Sequence, residues 1–166
     1  MSAMEKKQRL VIGRKDKVDF PKLGLYDIDA KVDTGAYTSS IHCRDLRVID
    51  KGGERYIRFS LINPSQPFYN KVIKRPIYAK RSVKNSFGQI DKRYIIKTQI
   101  SLFGERLDIE LSLTDRSKMD YPVLLGRKLL NKRFVVDVSQ SDLSYRQKNK
   151  TSASKVKGHK GSGKFQ

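Results

Sequence analysis

The sequence has few of the features that mark secreted or membrane-bound chains. Cys43 is the single cysteine in 166 residues, so no disulfide can form within the chain. No apolar run approaches the roughly 20 residues that a membrane-spanning helix needs. The residues from Met1 to Leu10 are mostly polar, unlike a signal peptide. We therefore expect a cytoplasmic protein that makes no contact with membranes, and its length suits a single domain.

Acidic residues are also scarce, because 17 Asp and Glu stand against 36 Lys and Arg, for a net charge of +19. The stretch from Arg146 to Gln166 is basic, rich in Ser and Gly, and has no acidic residue. Such a stretch cannot bury enough apolar surface to offset its ordering entropy. We expect a lead-in at 1–9, a folded domain at 10–145 and a basic disordered tail at 146–166. The tail either maintains solubility or contacts a ribosome, RNA or another polyanion.

One stretch combines a strand pattern with a turn that carries a carboxylate. Ile28, Ala30 and Val32 alternate with polar residues, which is the period of a half-buried strand. Asp33, Thr34 and Gly35 then interrupt the alternation, and glycine permits a turn or a close backbone approach. The pattern predicts a carboxylate that is held in a fixed direction at the end of a strand.

Many further short strands predict an all-β fold with one short helix after Gly126. The clearest alternation runs from Leu107 to Leu113, and a turn is predicted at Lys51–Glu54. We interpret Arg14–Gly24 as a charged connection rather than a strand. The other predicted strands are 10–13, 25–33, 46–49, 56–62, 72–77, 94–102 and 134–138.

A second motif, Leu124-Leu125-Gly126-Arg127, follows an apolar strand. Together with Asp33-Thr34-Gly35-Ala36 it resembles the retropepsin-like aspartic proteases. The order of these motifs with Val11–Arg14 and Leu111–Thr114 is similar to a bacterial branch often labelled "ATP-dependent zinc protease". Some members of that branch accompany the ligase that adds glutamates to a ribosomal protein. The resemblance covers about residues 10–143 and implies a closed retropepsin-like barrel that forms a homodimer.

The resemblance also implies an aspartic peptidase with one catalytic motif in each chain. Such enzymes need two carboxylates that share a proton and flank one water. Because the chain has a single Asp-Thr-Gly, two copies must each contribute Asp33 across a two-fold axis. Thr34 would bond across the axis and Gly35 would admit the substrate backbone, so Asp33, Thr34 and Gly35 form the expected catalytic set.

The resemblance implies roles for neighbouring residues as well. Ala36 and Tyr37 lie beside the catalytic Asp and are expected to bind substrate. The basic segment from Tyr78 to Arg93 lies where a flap would close, and Lys84 and Gly88 within it are the expected flap contacts. Three residues would pack behind the Asp33 loop as structural support: Leu125, Gly126 and Arg127.

The sequence departs from the family pattern at Tyr37. Retropepsins usually carry Asp there and the bacterial branch usually carries Arg, so the partner of Arg127 is an open question. Arg127 is either a structural charge or a cation that binds ligand. Ser39 and Ser40 are expected to fix the loop by hydrogen bonds, since no Gly-x-Ser-x-Gly motif marks a serine nucleophile.

The sequence gives little support for zinc or ATP, and we expect neither a metal nor a cofactor. There is no His-Glu-x-x-His and no Cys-x-x-Cys. We expect His42 to be a turn or surface residue and Cys43 to be small and buried. The run from Gly158 to Phe165 matches a phosphate-binding loop superficially, but Phe165 replaces the Ser or Thr that holds magnesium.

Two classes of function remain open at this point. The first is a homodimeric peptidase that hydrolyses a peptide or protein, with an acidic or glutamate-rich substrate favoured by the basic surface. The second is a non-catalytic module of the same fold that binds a ribosomal or ligase partner, or RNA, through basic surfaces.

Overall fold

The computed structural model describes residues 8–61, 71–84, 87–115 and 120–151, without the side chain of Lys84. These residues fold mostly as β-strands, with a 3₁₀ turn at Pro21–Leu23 and two short helices. No helix in these ranges is long and apolar enough to span a bilayer. The strands are β1 (Leu10–Ile12), β2 (Lys15–Phe20), β3 (Leu25–Val32), β4 (Ser39–Lys51), β5 (Glu54–Leu61), β6 (Val72–Pro76), β7 (Ala79–Lys84), β8 (Ile90–Leu102), β9 (Glu105–Thr114), β10 (Val123–Leu125) and β11 (Phe134–Val136). The helices are α1 (Arg127–Leu130) and α2 (143–151).

One large sheet contains nine of these strands, in the order β10-β3-β2-β8-β9-β4-β5-β6, with β7 added beside β8. The short strand β10 pairs in parallel with β3 and antiparallel with β4. The pairings from β3 through β2, β8, β9 and β4 therefore lead back to β10. A separate two-stranded sheet joins β1 and β11 in parallel, with Leu10 opposite Phe134.

The core is formed by the inward faces of these strands. Ile28, Ala30 and Val32 of β3 are buried, which confirms the alternation read from the sequence. Leu111 and Leu113 are buried in the same way on β9. Each such isoleucine or leucine contributes roughly 1.5–3 kcal/mol when it leaves water, so these faces supply much of the stability.

Strand β2 corrects one prediction, because the chain from Lys15 to Phe20 is a strand and not a charged connection. Asp16, Val18 and Phe20 face inward while the residues between them are half-buried. A carboxylate at an inward position hides the apolar alternation that normally identifies a strand. Inward and outward positions therefore do alternate along β2, but the charged Asp16 at an inward position hides this alternation in the sequence.

The basic segment from Tyr78 to Arg93 is largely an antiparallel pair of strands. Residues Ala79–Lys84 of β7 pair with Ile90–Ile95 of β8. Gly88 lies in the connection with φ of +81°, a conformation that favours glycine. Residues 85–86, in the same connection, lie outside the described residues.

The C-terminal part of the described chain is a helix that crosses the predicted boundary between residues 145 and 146. Asp16 is 1% exposed and accepts hydrogen bonds from the main-chain N–H groups of Ser144 and Tyr145, at 2.9 and 3.0 Å. Lys148 pairs with Asp19 and Asp27 at 2.9 and 2.7 Å. The first residues of the predicted tail are therefore helical and contact the domain. Residues 152–166, and 1–7 of the lead-in, lie outside the described residues.

Candidate active site

The Asp33 side chain lies in a tight turn between β3 and β4. Its Oδ1 accepts a hydrogen bond from the main-chain N–H of Gly35 at 3.0 Å. The Asp33 carbonyl oxygen accepts a further bond from the N–H of Ala36 at 3.2 Å. This is the local pattern by which Asp stabilises a turn, and it fixes the direction of the carboxylate. Asp33 is half-buried, and Thr34 and Gly35 are exposed beside it.

Strand β10 lies directly against this turn. The N–H of Asp33 donates to the carbonyl oxygen of Leu125 at 2.9 Å, which extends the pairing of β10 with β3. On its other edge β10 pairs with the start of β4, with Val123 opposite Ile41. The strands that enter and leave the turn are thus both tied to one short, buried strand.

Gly126 allows the chain after β10 to approach the turn closely. A Cβ atom at this position would lie 2.8 Å from the carbonyl oxygen of Tyr37 and 2.9 Å from that of Ala36. The Gly126 N–H donates to the hydroxyl of buried Ser39 at 3.0 Å. The prediction that Ser39 fixes the loop is therefore confirmed, and a larger residue than glycine would push the loop away.

Arg127 has partners in the loop although Tyr37 carries no charge. Its guanidinium donates to the carbonyl oxygen of Thr34 at 2.9 Å and lies 5.8 Å from the centre of the Tyr37 ring. Its main-chain N–H donates to the carbonyl oxygen of Ala36 at 2.8 Å. A tyrosine ring attracts a guanidinium electrostatically at such a distance. These contacts support the interpretation that Arg127 is a structural charge rather than a cation that binds ligand.

The predicted site residues thus fall into two groups. The first group consists of Asp33 and six residues that lie in its turn or bond directly to it: Thr34, Gly35, Ala36, Tyr37, Leu125 and Arg127. Gly126 also belongs to this group, because it packs against the carbonyl groups of the turn. Lys84 and Gly88 lie instead on the β7–β8 pair. Within the described residues, no hydrogen bond joins β7 or β8 to the Asp33 turn. The side chain of Lys84 lies outside the described part of the chain.

A charged cluster that the sequence did not reveal connects β7 to α1. Glu110 of β9 pairs with Arg81 at 2.7 Å and with Lys128 at 2.6 Å. Burial raises the pKa of Glu110, but Lys128 and Arg81 together outweigh it, so that the pKa lies below its usual value. The charge of Arg81, which belongs to the basic segment from Tyr78 to Arg93, is therefore partly neutralised. The alternation of residues along β9 predicts that Glu110 faces away from the core, but it does not predict which cations pair with it.

The other nucleophile and metal candidates do not form a second site. Burial raises the pKa of the Cys43 thiol to about 12, which keeps it neutral and unreactive. His42 corrects a prediction, because it is 4% exposed rather than at the surface. Its Nδ1 lies 3.2 Å from the carbonyl oxygen of Thr114, so that Nδ1 donates the proton. In the part of the chain that the structure describes, no three His, Cys, Asp or Glu side chains are grouped as metal ligands.

A mostly β fold with an Asp-Thr-Gly turn held by an apolar-Gly-Arg strand defines the retropepsin-like class. The family model of RimB-like proteins, described as "Retropepsin-like aspartic endopeptidase RimB", matches residues 11–147. This chain belongs to that family.

Curated relatives place a similar segment in longer proteins. A "Probable alpha-L-glutamate ligase" of Shewanella halifaxensis (strain HAW-EB4) is 39% identical over 138 residues, which are 80% of this chain and 29% of that protein. A protein of the same name from Desulfotalea psychrophila (strain LSv54 / DSM 12343) is 36% identical over 129 residues, 76% of this chain and 28% of its own length. This chain therefore spans less than a third of these relatives. Their names agree with the ligase association that the resemblance implied.

A solved structure shares the fold. The crystal structure of a Legionella pneumophila subsp. pneumophila protein of unknown function superposes with a TM-score of 0.68 at 26% identity. The match covers 82% of this chain and 99% of that one. The likeness therefore extends well beyond the Asp33 turn.

Proposed function

We propose that this chain is an aspartic peptidase whose active form is a homodimer, with one Asp33 from each copy. The observation that carries the proposal is the Asp33 turn. A half-buried carboxylate, oriented by Gly35, lies beside exposed Thr34 and is tied through its main chain to β10. The circuit of pairings through β10 is the proposed closed barrel.

The chemistry follows from placing two such carboxylates at one axis. Two negative charges at about 3 Å cannot both persist, so one carboxyl retains a proton. The ionised group takes a proton from a water between them, and that water attacks the peptide carbonyl carbon. The protonated group donates a hydrogen bond to the carbonyl oxygen as negative charge develops there. The proton taken from the water then passes to the amide nitrogen, the C–N bond breaks, and the amine leaves as the carbonyl group re-forms.

Gly35 and Arg127 support this arrangement in different ways. A Cβ atom at Gly35 would lie 3.2 Å from Oδ1 of Asp33, so the missing side chain leaves the carboxylate unobstructed. Arg127 holds the Thr34 carbonyl, and the exposed Thr34 is proposed to face a second copy. Ala36 and Tyr37, and Lys84 and Gly88 on the β7–β8 flap, are proposed to contact the substrate.

The test is hydrolysis of a peptide library, followed by mass spectrometry, with wild type and Asp33→Asn. The amide has nearly the size of the carboxylate but cannot act as the base, so we expect cleavage to disappear. Asp45→Asn is the matched control, because Asp45 is an exposed aspartate at φ of +55°, which Asn also tolerates. Cleavage should persist in a metal chelator and should fall on dilution together with the dimer seen by sedimentation. Activity that survives in Asp33→Asn, or in a pure monomer, would exclude the shared-carboxylate mechanism.

The same assay tests the substrate class. We propose an acidic peptide or protein substrate, since the chain carries a net charge of +19 and Lys80, Lys92 and Arg93 lie on the flap strands. Acidic peptides should be cleaved faster than neutral ones, and the advantage should shrink as salt rises from about 20 to about 300 mM. Equal rates for both, or no effect of salt, would argue against a charge-selective cleft.

A second candidate is a binding module without catalysis. The observation that favours it is that the matched segment forms 29% of a protein named as a probable ligase. In that case the segment would position a ligase or ribosomal partner, and Asp33→Asn would leave partner binding unchanged while no peptide is cleaved by the wild type.

A further inference from the structure

A cavity of about 510 Å³ lies between β6, β8, β9 and α1, and Asp33, Thr34 and Gly35 do not line it. Four of its lining residues are basic and make no ion pair with any described residue. They come from four separate parts of the chain: Lys22, Arg75, Lys97 and Arg133. Bringing unpaired like charges around one concavity is electrostatically unfavourable unless an anion joins them.

The two acidic lining residues do not cancel this charge. Glu110 is already engaged by Lys128 and Arg81, at 2.6 and 2.7 Å. Asp108 accepts one hydrogen bond from Gln99 at 3.3 Å and forms no ion pair within the described residues. Even if the charge of Asp108 is counted in full against the four unpaired cations, the cavity keeps an excess of positive charge.

Three of the four cations make contacts that restrain their side chains. One guanidinium nitrogen of Arg75 donates to the carbonyl oxygen of Lys97 at 3.2 Å, and Arg133 donates to that of Leu129 at 3.0 Å. The ammonium of Lys97 lies 3.9 Å from the centre of the Tyr78 ring. Groups that are ordered before a ligand arrives lose less entropy on binding.

Two buried polar atoms on lining residues have no hydrogen-bond partner among the residues that the structure describes. They are Nε of Arg75 and the hydroxyl of Thr98, which is 5% exposed. Buried polar atoms without a hydrogen bond are uncommon and call for an explanation, such as an unseen ligand or water. Here both belong to the wall that carries the uncompensated charge.

We propose that this cavity binds a small anion with several phosphate or carboxylate oxygens. Its volume is within the range of about 300–1,000 Å³ that is usual for small-molecule sites. Arginine and lysine bind such oxygens through charge-assisted hydrogen bonds. None of the described residues that line the cavity has an aromatic side chain, so these residues offer no platform on which nucleic-acid bases would stack.

The site is next to the supports of the Asp33 turn but does not depend on the proposed peptidase chemistry. Ser39 and Lys128 line the cavity, and they also bond to Gly126 and to the Tyr37 carbonyl oxygen. Binding can therefore be measured without a peptide substrate, and in Asp33→Asn as well as in wild type. If the peptidase proposal fails, the anion-binding proposal is unaffected, and the converse also holds.

The experiment is titration calorimetry of the full chain with inorganic pyrophosphate, tricarballylate and acetate. We expect pyrophosphate or tricarballylate to bind at least about tenfold more tightly than acetate, since several charge-assisted bonds replace one. Whichever of pyrophosphate and tricarballylate binds more tightly shows whether the cavity prefers phosphate or carboxylate oxygens. Arg75→Gln should weaken binding by about tenfold or more, the loss expected for one such bond.

Lys51→Gln is the matched control, since it removes one positive charge from the exposed end of β4, outside the cavity. It should change the affinity by less than about twofold, because a distant exposed charge is screened. If Arg75→Gln does not fold, Arg133→Gln replaces it. Equal losses in the cavity and control variants, no binding of either multivalent anion, or tighter binding of a single-stranded oligonucleotide through the same residues would each overturn the proposal.

Discussion

The guanidinium of Arg127 donates a hydrogen bond to the main-chain carbonyl oxygen of Thr34 at 2.9 Å. The two residues are 93 positions apart in sequence, and the bond joins the Gly-Arg element to the Asp-Thr-Gly turn. A carbonyl that is held from one side is fixed in orientation, and so is the peptide that precedes Gly35. Arg127 therefore restrains the turn that carries the Asp33 carboxylate.

Replacing Arg127 by Lys should loosen the turn more than it destabilises the fold. Lysine keeps the charge but lacks the planar fork that reaches Thr34 while lying over Tyr37. We expect the free energy of unfolding to fall by about 1 kcal/mol and amide hydrogen exchange at residues 33–38 to accelerate. The control Arg106→Lys, at an exposed position of β9, should change neither quantity. Unchanged exchange in Arg127→Lys would show that the main-chain bonds to the turn are sufficient without the Arg127 guanidinium.

His42 should make stability fall on acidification. Burial lowers the pKa of His42 below its usual 6.5, and neither the Thr114 carbonyl nor the charge of Asp115 fully offsets this. Above pH 6.5 the histidine is neutral in both states, so it makes no contribution to pH dependence. Below that pH the unfolded chain binds a proton that the folded chain does not, and stability decreases until the folded pKa is reached. The contribution of His42 changes the free energy of unfolding by at most about 1.4 kcal/mol per pH unit.

Denaturant unfolding between pH 7.5 and 5 measures this contribution. His42→Gln should flatten the profile in this range. The chain has two histidines, and His159→Gln supplies the control that should retain the slope. An equal slope in wild type and His42→Gln would show that His42 is not the titrating group.

The contact between Asp16 and α2 should stabilise the domain. Burial raises the pKa of Asp16, and hydrogen bonds from the N–H groups of Ser144, Lys17 and Tyr145 oppose this. Asp16→Ala should lower the free energy of unfolding by about 1–2 kcal/mol, because it removes a helix cap and leaves buried N–H groups unpaired. Truncation after Asp142 should lower the melting temperature as well, whereas truncation after Thr151 should not, since it removes no described contact. A melting temperature that is unchanged after removal of α2 would refute a stabilising role for the helix.

The sequence by itself determined the features that depend on local order. The alternation of Ile28, Ala30 and Val32 fixed a strand, because side chains in a strand point to opposite faces in turn. The break at Asp33-Thr34-Gly35 fixed a turn, because the Asp side chain and glycine both favour one there. The Gly-Arg motif was readable for a similar reason, since only glycine leaves room against the carbonyl groups of Ala36 and Tyr37.

Tertiary structure alone decided the features that depend on distant partners. Asp16 reads as a surface charge until α2, 128 residues later, supplies N–H groups to its carboxylate. His42 reads as a polar turn residue until Thr114, 72 residues away, accepts its proton. Glu110 reads as one more outward charge until β7 and α1 bring Arg81 and Lys128 to it. In each case a polar side chain leaves solvent, wholly for Asp16 and His42 and partly for Glu110, and a remote group satisfies it. The local sequence carries no signal of that group.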